Sequence, residues 1–137
     1  MRIRKAGSKD IRSLVALAAS LGLDYEGMDG DTFWAAEADG RVVGLVGLKR
    51  HADCQELCAL GVDPVFRQRG LGRGLVEALV GGTPGDIYLA TVIPAFFESC
   101  GFERPSTAPK TFAEKRLTAW CEGCDTRLCT VMVRRRP

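Results

Sequence analysis

The chain has 137 residues and a mass of 14.8 kDa, with 46% hydrophobic and 26% charged residues. That length fits one domain spanning 1–137, able to build a core without metal or disulfide staples, and the composition excludes collagen, coiled coil and low-complexity disorder. Nineteen Lys and Arg against seventeen Asp and Glu leave a formal charge of +2, so no broad nucleic-acid or membrane footprint is expected.

Ile3–Ala6 alternates weakly, as a short first strand does. Ser8 is a plausible N-cap for a helix carrying Ile11, Leu14, Val15, Ala18 and Leu21 at helical spacing, which Gly22 closes. Arg2, Arg4 and Lys5 before the apolar stretch Leu14–Leu23 resemble a signal peptide. However, Ser8, Lys9, Asp10 and Arg12 intervene and no small-residue cleavage site follows, so a cytoplasmic protein is expected. Thr32–Ala38 and Arg41–Lys49 are strands joined by an Asp39-Gly40 turn, and Gln55–Val62 is a third, ended by Asp63-Pro64.

A helix with Leu71, Leu75, Val76 and Leu79 on one face follows, then a strand over Asp86–Val92. A short helix over Pro94–Cys100 is stopped by Gly101. Arg104–Lys110 is the most loop-like stretch, and Leu128–Val133 is a last strand. The order predicts an α+β fold with a mixed, mainly antiparallel sheet flanked by helices and containing one βαβ crossover.

The most informative segment is the glycine loop Arg67-Gln68-Arg69-Gly70-Leu71-Gly72-Arg73, where a strand ends and a helix begins. Backbone N–H groups at a helix N-terminus, unobstructed at Gly70 and Gly72, can close on a phosphate. Arg67, Arg69 and Arg73 add charge suited to more than one. The loop lacks the spacing of a dinucleotide-binding GxGxxG and the Lys-Ser/Thr of a P-loop, so a solvated helix start and a nucleic-acid loop compete with a diphosphate ligand.

On these residues the chain resembles the GCN5-related N-acetyltransferases (GNAT). Their acetyl-CoA loop has the pattern Q/R-x-x-G-x-G/A, matched by Arg67 to Gly72, after a strand ending like Val62-Asp63-Pro64. Ala95-Phe96-Phe97-Glu98-Ser99-Cys100-Gly101-Phe102 is similar to the family's aromatic pair followed by Gly-Phe. The resemblance implies a GNAT fold with a V-shaped splay between strands four and five, and acetyl-CoA as cosubstrate. By position, Leu60 and Val62 would offer backbone groups to the pantetheine arm. The amides of Gln68, Arg69, Gly70, Leu71 and Gly72 would hold the pyrophosphate.

The resemblance also implies that Glu56, on strand four, is the base that deprotonates the amine. Alternation places Glu56, Cys58 and Leu60 on one face, which favours an inward carboxylate over a solvated one. Where many relatives have a tyrosine to protonate the leaving thiolate, this chain has Phe97. Water, Tyr88, Ser99 and Cys100 are open substitutes, and no residue is assigned as general acid.

Six cysteines stand at 54, 58, 100, 121, 124 and 129, and a cytoplasmic setting implies reduced thiols. Cys121-x-x-Cys124 followed by Cys129 has the form of a zinc knuckle with three ligands, one short of a structural site, so no metal is expected. This tail, with Glu56-Leu57, is similar to short stand-alone N-acetylglutamate synthases. Acetyltransferases that act on arsenical amino acids share the N-terminal pattern and the Phe96-Phe97 pair. Both groups imply a small amino-acid acceptor, with Lys110, Arg104 and Arg116 as candidate carboxylate partners. A peptide, protein or antibiotic amine, or a non-catalytic CoA-binding module, remain the alternatives. His51 is read as a loop residue in preference to a pocket residue. Edge strands of such folds often pair across a homodimer, and Arg134-Arg135-Arg136 is read as a solvated tail.

Overall fold

The computed structural model describes residues 1–115 and 129–135. A six-stranded mixed sheet runs in the order β1 (Arg2–Lys5), β2 (Thr32–Ala38), β3 (Arg41–Arg50), β4 (Gln55–Val62), β5 (Ile87–Thr91), β6 (Thr130–Arg134). The helices are α1 (Ile11–Ser20), α2 (Leu71–Gly81), α3 (Pro94–Ser99) and α4 (Lys110–Lys115). Contacts gather into two compact units, Met1–Lys49 with Leu57–Pro84, and Arg50–Glu56 with Gly85–Pro137.

In the first unit β1, β2 and β3 pair antiparallel. The Asp39-Gly40 turn has positive φ at both residues (52° and 74°), the geometry that a two-residue hairpin needs. One sheet face meets α1, where Leu14, Ala18, Met28, Phe33, Ala35 and Leu45 form a buried cluster. The other meets α2: a Cβ on Gly44 of β3 would lie 3.1 Å from Leu75 and 3.2 Å from Ala36. Leu75, Val76 and Leu79 are fully buried, each contributing about 1.5–3 kcal/mol.

The start of α1 differs from the expectation that Ser8 is the N-cap. Ser8–Asp10 forms a 3-10 turn, and its last residue, Asp10, stands at the N-cap position of α1 without a side-chain bond into that helix. Its carboxylate reaches back to the Gly7 N–H at 2.7 Å and takes a two-pronged bond from Arg4 at 2.8 and 2.9 Å. Charge-assisted bonds of this kind tie the turn that precedes α1 to Arg4 of β1. Arg4, and then the Gly7 N–H, hold the Asp10 carboxyl well below its usual 3.8. A carboxyl whose folded pKa is depressed stabilises the fold above its unfolded value, and that stability is lost as the pH falls toward the folded value. Asp10→Asn is therefore expected to lower Tm by several degrees near neutrality, and the gap to wild type should narrow once the pH drops below 3.8. Thermal unfolding followed by circular dichroism across that range checks both the sign and the window.

Strand β4 departs from strict alternation. Ala59 has φ +52°, a left-handed residue inside a strand, which inserts one extra position. A Cβ on Gly47 would lie 3.0 Å from the Cys58 sulfur, and one on Gly61 would lie 2.5 Å from Leu23. Cys58 and Gly61, three residues apart, therefore both face α1, and Leu60 is moved off the face of Cys58.

In the second unit β4 and β5 pair in parallel at Glu56↔Tyr88, and β5 and β6 pair antiparallel from Ile87↔Arg134 to Thr91↔Thr130. Ile87, Leu89, Met132 and Val133 are buried. Helix α4 was not expected from the sequence; Phe112 buries its apolar side, and Asp53 binds its first turn through the backbone N–H and hydroxyl of Thr111. Among the described residues no helix is long and apolar enough to cross a membrane. Cys54, Cys58, Cys100 and Cys129 are unbridged thiols. Arg116, Cys121, Cys124, Leu128 and Arg136 lie outside the described residues.

Candidate active site

The glycine loop opens α2 as its spacing predicts. Asp63 caps the turn Pro64–Phe66 by accepting from the Val65 N–H at 3.0 Å, which ends β4 and turns the chain. Gly70, at φ +77° and ψ 8°, is the N-cap of α2, and Gln68 has φ +63°. A left-handed conformation costs a residue with a Cβ about 1–2 kcal/mol. Two such residues flank Arg69, and turns with left-handed residues can present successive backbone amides to an anion. Gln68, Arg69 and Gly70 are exposed, and Leu71 is buried as the first anchor of the helix.

The three arginines are held differently. Arg67 Nε donates to the Val62 carbonyl at 3.0 Å. The Arg69 guanidinium lies 5.2 Å over the Phe66 ring, whose environment also includes Arg41 at 5.8 Å. Arg73 is exposed on the first turn of α2. Together with the positive helix end, these groups suit an anionic ligand of more than one charge.

Backbone direction on β4 follows from one bond. The Asp63 N–H donates to Val43 O on β3 at 2.7 Å. Neighbouring residues of a strand point their N–H and C=O groups to opposite sides, so those of Val62 and, two back, Leu60 turn away from β3.

Glu56 is 5% exposed. Its Oε1 lies 2.7 Å from Nε2 of His51, and the two side chains are 6% and 15% exposed. A buried carboxylate is tolerable only with such a partner. The pairing has a local cause: the His51 N–H donates to Cys54 O at 2.9 Å, closing the β3–β4 turn and setting His51 diagonally across from Glu56. His51 thus stands in the turn, as its loop reading has it, and there pairs with Glu56. Its five-residue spacing from Glu56 across a tight turn was the signal available in the sequence. Cys54, in the same turn, has its thiol pushed up to about 11 by burial and then by the Asp53 charge, so it stays protonated.

Of the residues that stood open as proton donors, Tyr88 is the register partner of Glu56, with its ring 6.2 Å from Phe112. Ser99 spends its hydroxyl on Phe96 O at 2.5 Å, and Cys100 is buried. Phe97 is core: it is 5% exposed and packs edge-on against Phe96 at 5.0 Å and Phe102 at 5.7 Å.

Arg104 and Lys110 are exposed. In the first unit Lys49 lies 5.0 Å over the ring of Tyr25, whose hydroxyl donates to Asp31 at 2.6 Å and sits 3.3 Å from the Cys58 sulfur. Burial, then the bond to Asp31, holds this phenol well above its ordinary value, so it acts as a neutral donor.

No curated protein matches the chain. Among solved structures, the N-acetylglutamate synthase of Neisseria gonorrhoeae, complexed with coenzyme A and N-acetyl-glutamate, superposes with a TM-score of 0.74 at 25% identity. That match covers 98% of this chain and 34% of the other, so the chain spans about a third of that protein's length. The same synthase complexed with coenzyme A and L-arginine gives 0.72 at 26% identity over 98% of this chain and 32% of that one. Rv2747 of Mycobacterium tuberculosis, in complex with CoA and NLQ, covers all of both chains with a TM-score of 0.70, and at 19% identity it speaks for the fold alone. The family profile described as Acetyltransferase (GNAT) domain matches residues 29–104, which is more than half of the chain, and on that match the protein belongs to the GNAT acetyltransferase family.

Proposed function

We propose that the protein transfers acetyl from acetyl-CoA to the α-amino group of a small amino-acid acceptor, with glutamate the first to try. The observation that carries this reading is the buried Glu56–His51 pair on the strand of the GNAT domain that leads into the glycine loop. The 25% identity with the Neisseria synthase over 98% of this chain supports an amino-acid acceptor.

The thioester supplies an activated acetyl group, and the chain's own residues do the rest. The amides from Gln68 to Gly72, with Arg67, Arg69 and Arg73 around them, hold the pyrophosphate. The backbone groups of Leu60 and Val62, turned away from β3, line the pantetheine arm. The Val62 carbonyl accepts from Arg67, and the Val62 N–H is the group offered to the arm. A backbone N–H aimed at the thioester carbonyl is worth about 3 kcal/mol in donors of this kind. Glu56 takes the proton from the acceptor's ammonium, because only the neutral amine carries a lone pair for attack. A thiolate is a far better leaving group than an alkoxide, a cysteine thiol having a pKa of about 8.5, so departure without a dedicated acid is feasible; Tyr88 is the register partner of Glu56.

The test is chromatographic detection of CoA and acetylated product, with acetyl-CoA offered against a panel of free amino acids that includes glutamate. A thiol dye is unsuitable because the protein's six cysteines would consume it. Acetylation of one or a few amino acids supports the reading. A rise in Tm with acetyl-CoA but no product from any amino acid keeps the cofactor loop and moves the acceptor to a peptide or another amine.

A further inference from the structure

The His51–Glu56 contact has a chemical direction. An ionised carboxylate offers only acceptors, so the imidazole nitrogen facing it must carry a hydrogen. We infer that His51 is a positioning residue: its Nε2–H donates to Glu56 Oε1 and fixes the plane of the carboxylate that receives the acceptor's proton. This rests on the acetyl-transfer reading above. The proton moves from the substrate ammonium to the Glu56 carboxylate, which becomes a carboxylic acid, the neutral amine keeps its electron pair, and His51 keeps its own hydrogen throughout. The turn bond from His51 N–H to Cys54 O fixes the backbone beneath the ring, so imidazole and carboxylate are both set by one hairpin. The bond from Asp53 to Thr111 ties that hairpin to α4.

His51 is the only histidine, so the ring has a single pair of ¹⁵N resonances to follow. The expected spectrum of the wild-type protein shows the Nε2–H tautomer, and Glu56→Gln, whose amide can present either oxygen or nitrogen, mixes the tautomers. A misplaced base costs on the order of tenfold to a hundredfold, so His51→Ala is expected to lower kcat by that factor with the KM for acetyl-CoA unchanged. His51→Gln, which restores an N–H at similar reach, recovers most of the loss. In the Glu56→Gln background, His51→Ala changes kcat by less than about twofold, because a residue acting through Glu56 has nothing left to position.

A wild-type kcat in His51→Ala with only a lower Tm would make the histidine purely structural and overturn the assignment. His51→Gln as slow as His51→Ala would overturn it too, by requiring a ring that titrates. Either result leaves the acetyl-transfer reading standing. A wild-type protein that binds acetyl-CoA yet acetylates no amine overturns that reading and the role of His51 with it.

Discussion

Glu56→Gln is expected to lower kcat by about 10²- to 10⁴-fold, the range a lost general base commands, while the Kd for acetyl-CoA stays within about twofold. The substitution suits the site because glutamine has the shape of glutamate and its amide oxygen can still accept from His51 Nε2 at the observed 2.7 Å. Packing around a side chain that is 5% exposed is therefore kept. What goes is basicity: an amide cannot take the proton that an amino-acid ammonium must lose. The effect should fall on kcat and leave the glycine loop untouched, since that loop is built from Gln68 to Gly72, well along the chain. Raising the pH offers a second check. An acceptor amine that is already deprotonated needs no base, so the deficit should shrink toward the alkaline end of the profile. Wild-type turnover in the variant at every pH would place the base elsewhere and reduce the His51–Glu56 pair to a structural contact.

The sequence carried most of the fold because its periodicities are unambiguous where burial is one-sided. The apolar sets of α1 and α2 face opposite sides of the same strands, and Asp39-Gly40 takes the two left-handed conformations that its residue types favour. The glycine loop was legible for the same reason: Gly70 is needed where φ is +77°. What was not legible depends on contacts between distant residues or on irregular backbone. The positive φ of Ala59 has no signature in an Ala, so alternation along β4 appeared to run unbroken from Glu56 to Leu60. Helix α4 follows two prolines in a polar stretch, and its start is bound by Asp53, 58 residues earlier in the chain. Asp10 and not Ser8 stands at the start of α1 because Arg4, on β1, holds its carboxylate with two charged bonds that local propensity does not register. His51 was missed because a hairpin's diagonal neighbour emerges only once the turn is closed.

Gly70→Val is expected to weaken CoA binding by about a hundredfold, on the grounds that it strikes backbone direction and ligand approach together. Valine is the least suited side chain for φ +77°, since its branched Cβ crowds the following carbonyl. Relieving that crowding means rotating Gly70 out of the left-handed region, which swings the amides of the first turn of α2 away from the side they share. The Gln68 conformation at φ +63° compounds the loss, because the two left-handed residues act as one cradle. A gentler variant separates the two causes. Beyond its own chain neighbours, a Cβ at Gly70 meets no protein atom within 4 Å, so Gly70→Ala adds no tertiary clash and leaves only the cost of a side chain at positive φ plus any collision with the ligand. Titration with CoA and with pantetheine, which has no pyrophosphate, then reads the site directly. A loop that holds the pyrophosphate loses CoA affinity in both variants while pantetheine affinity barely changes. An equal loss for both ligands would mean that the substitution acts by disturbing β4 and the pantetheine path, and the pyrophosphate would have to be held by other residues.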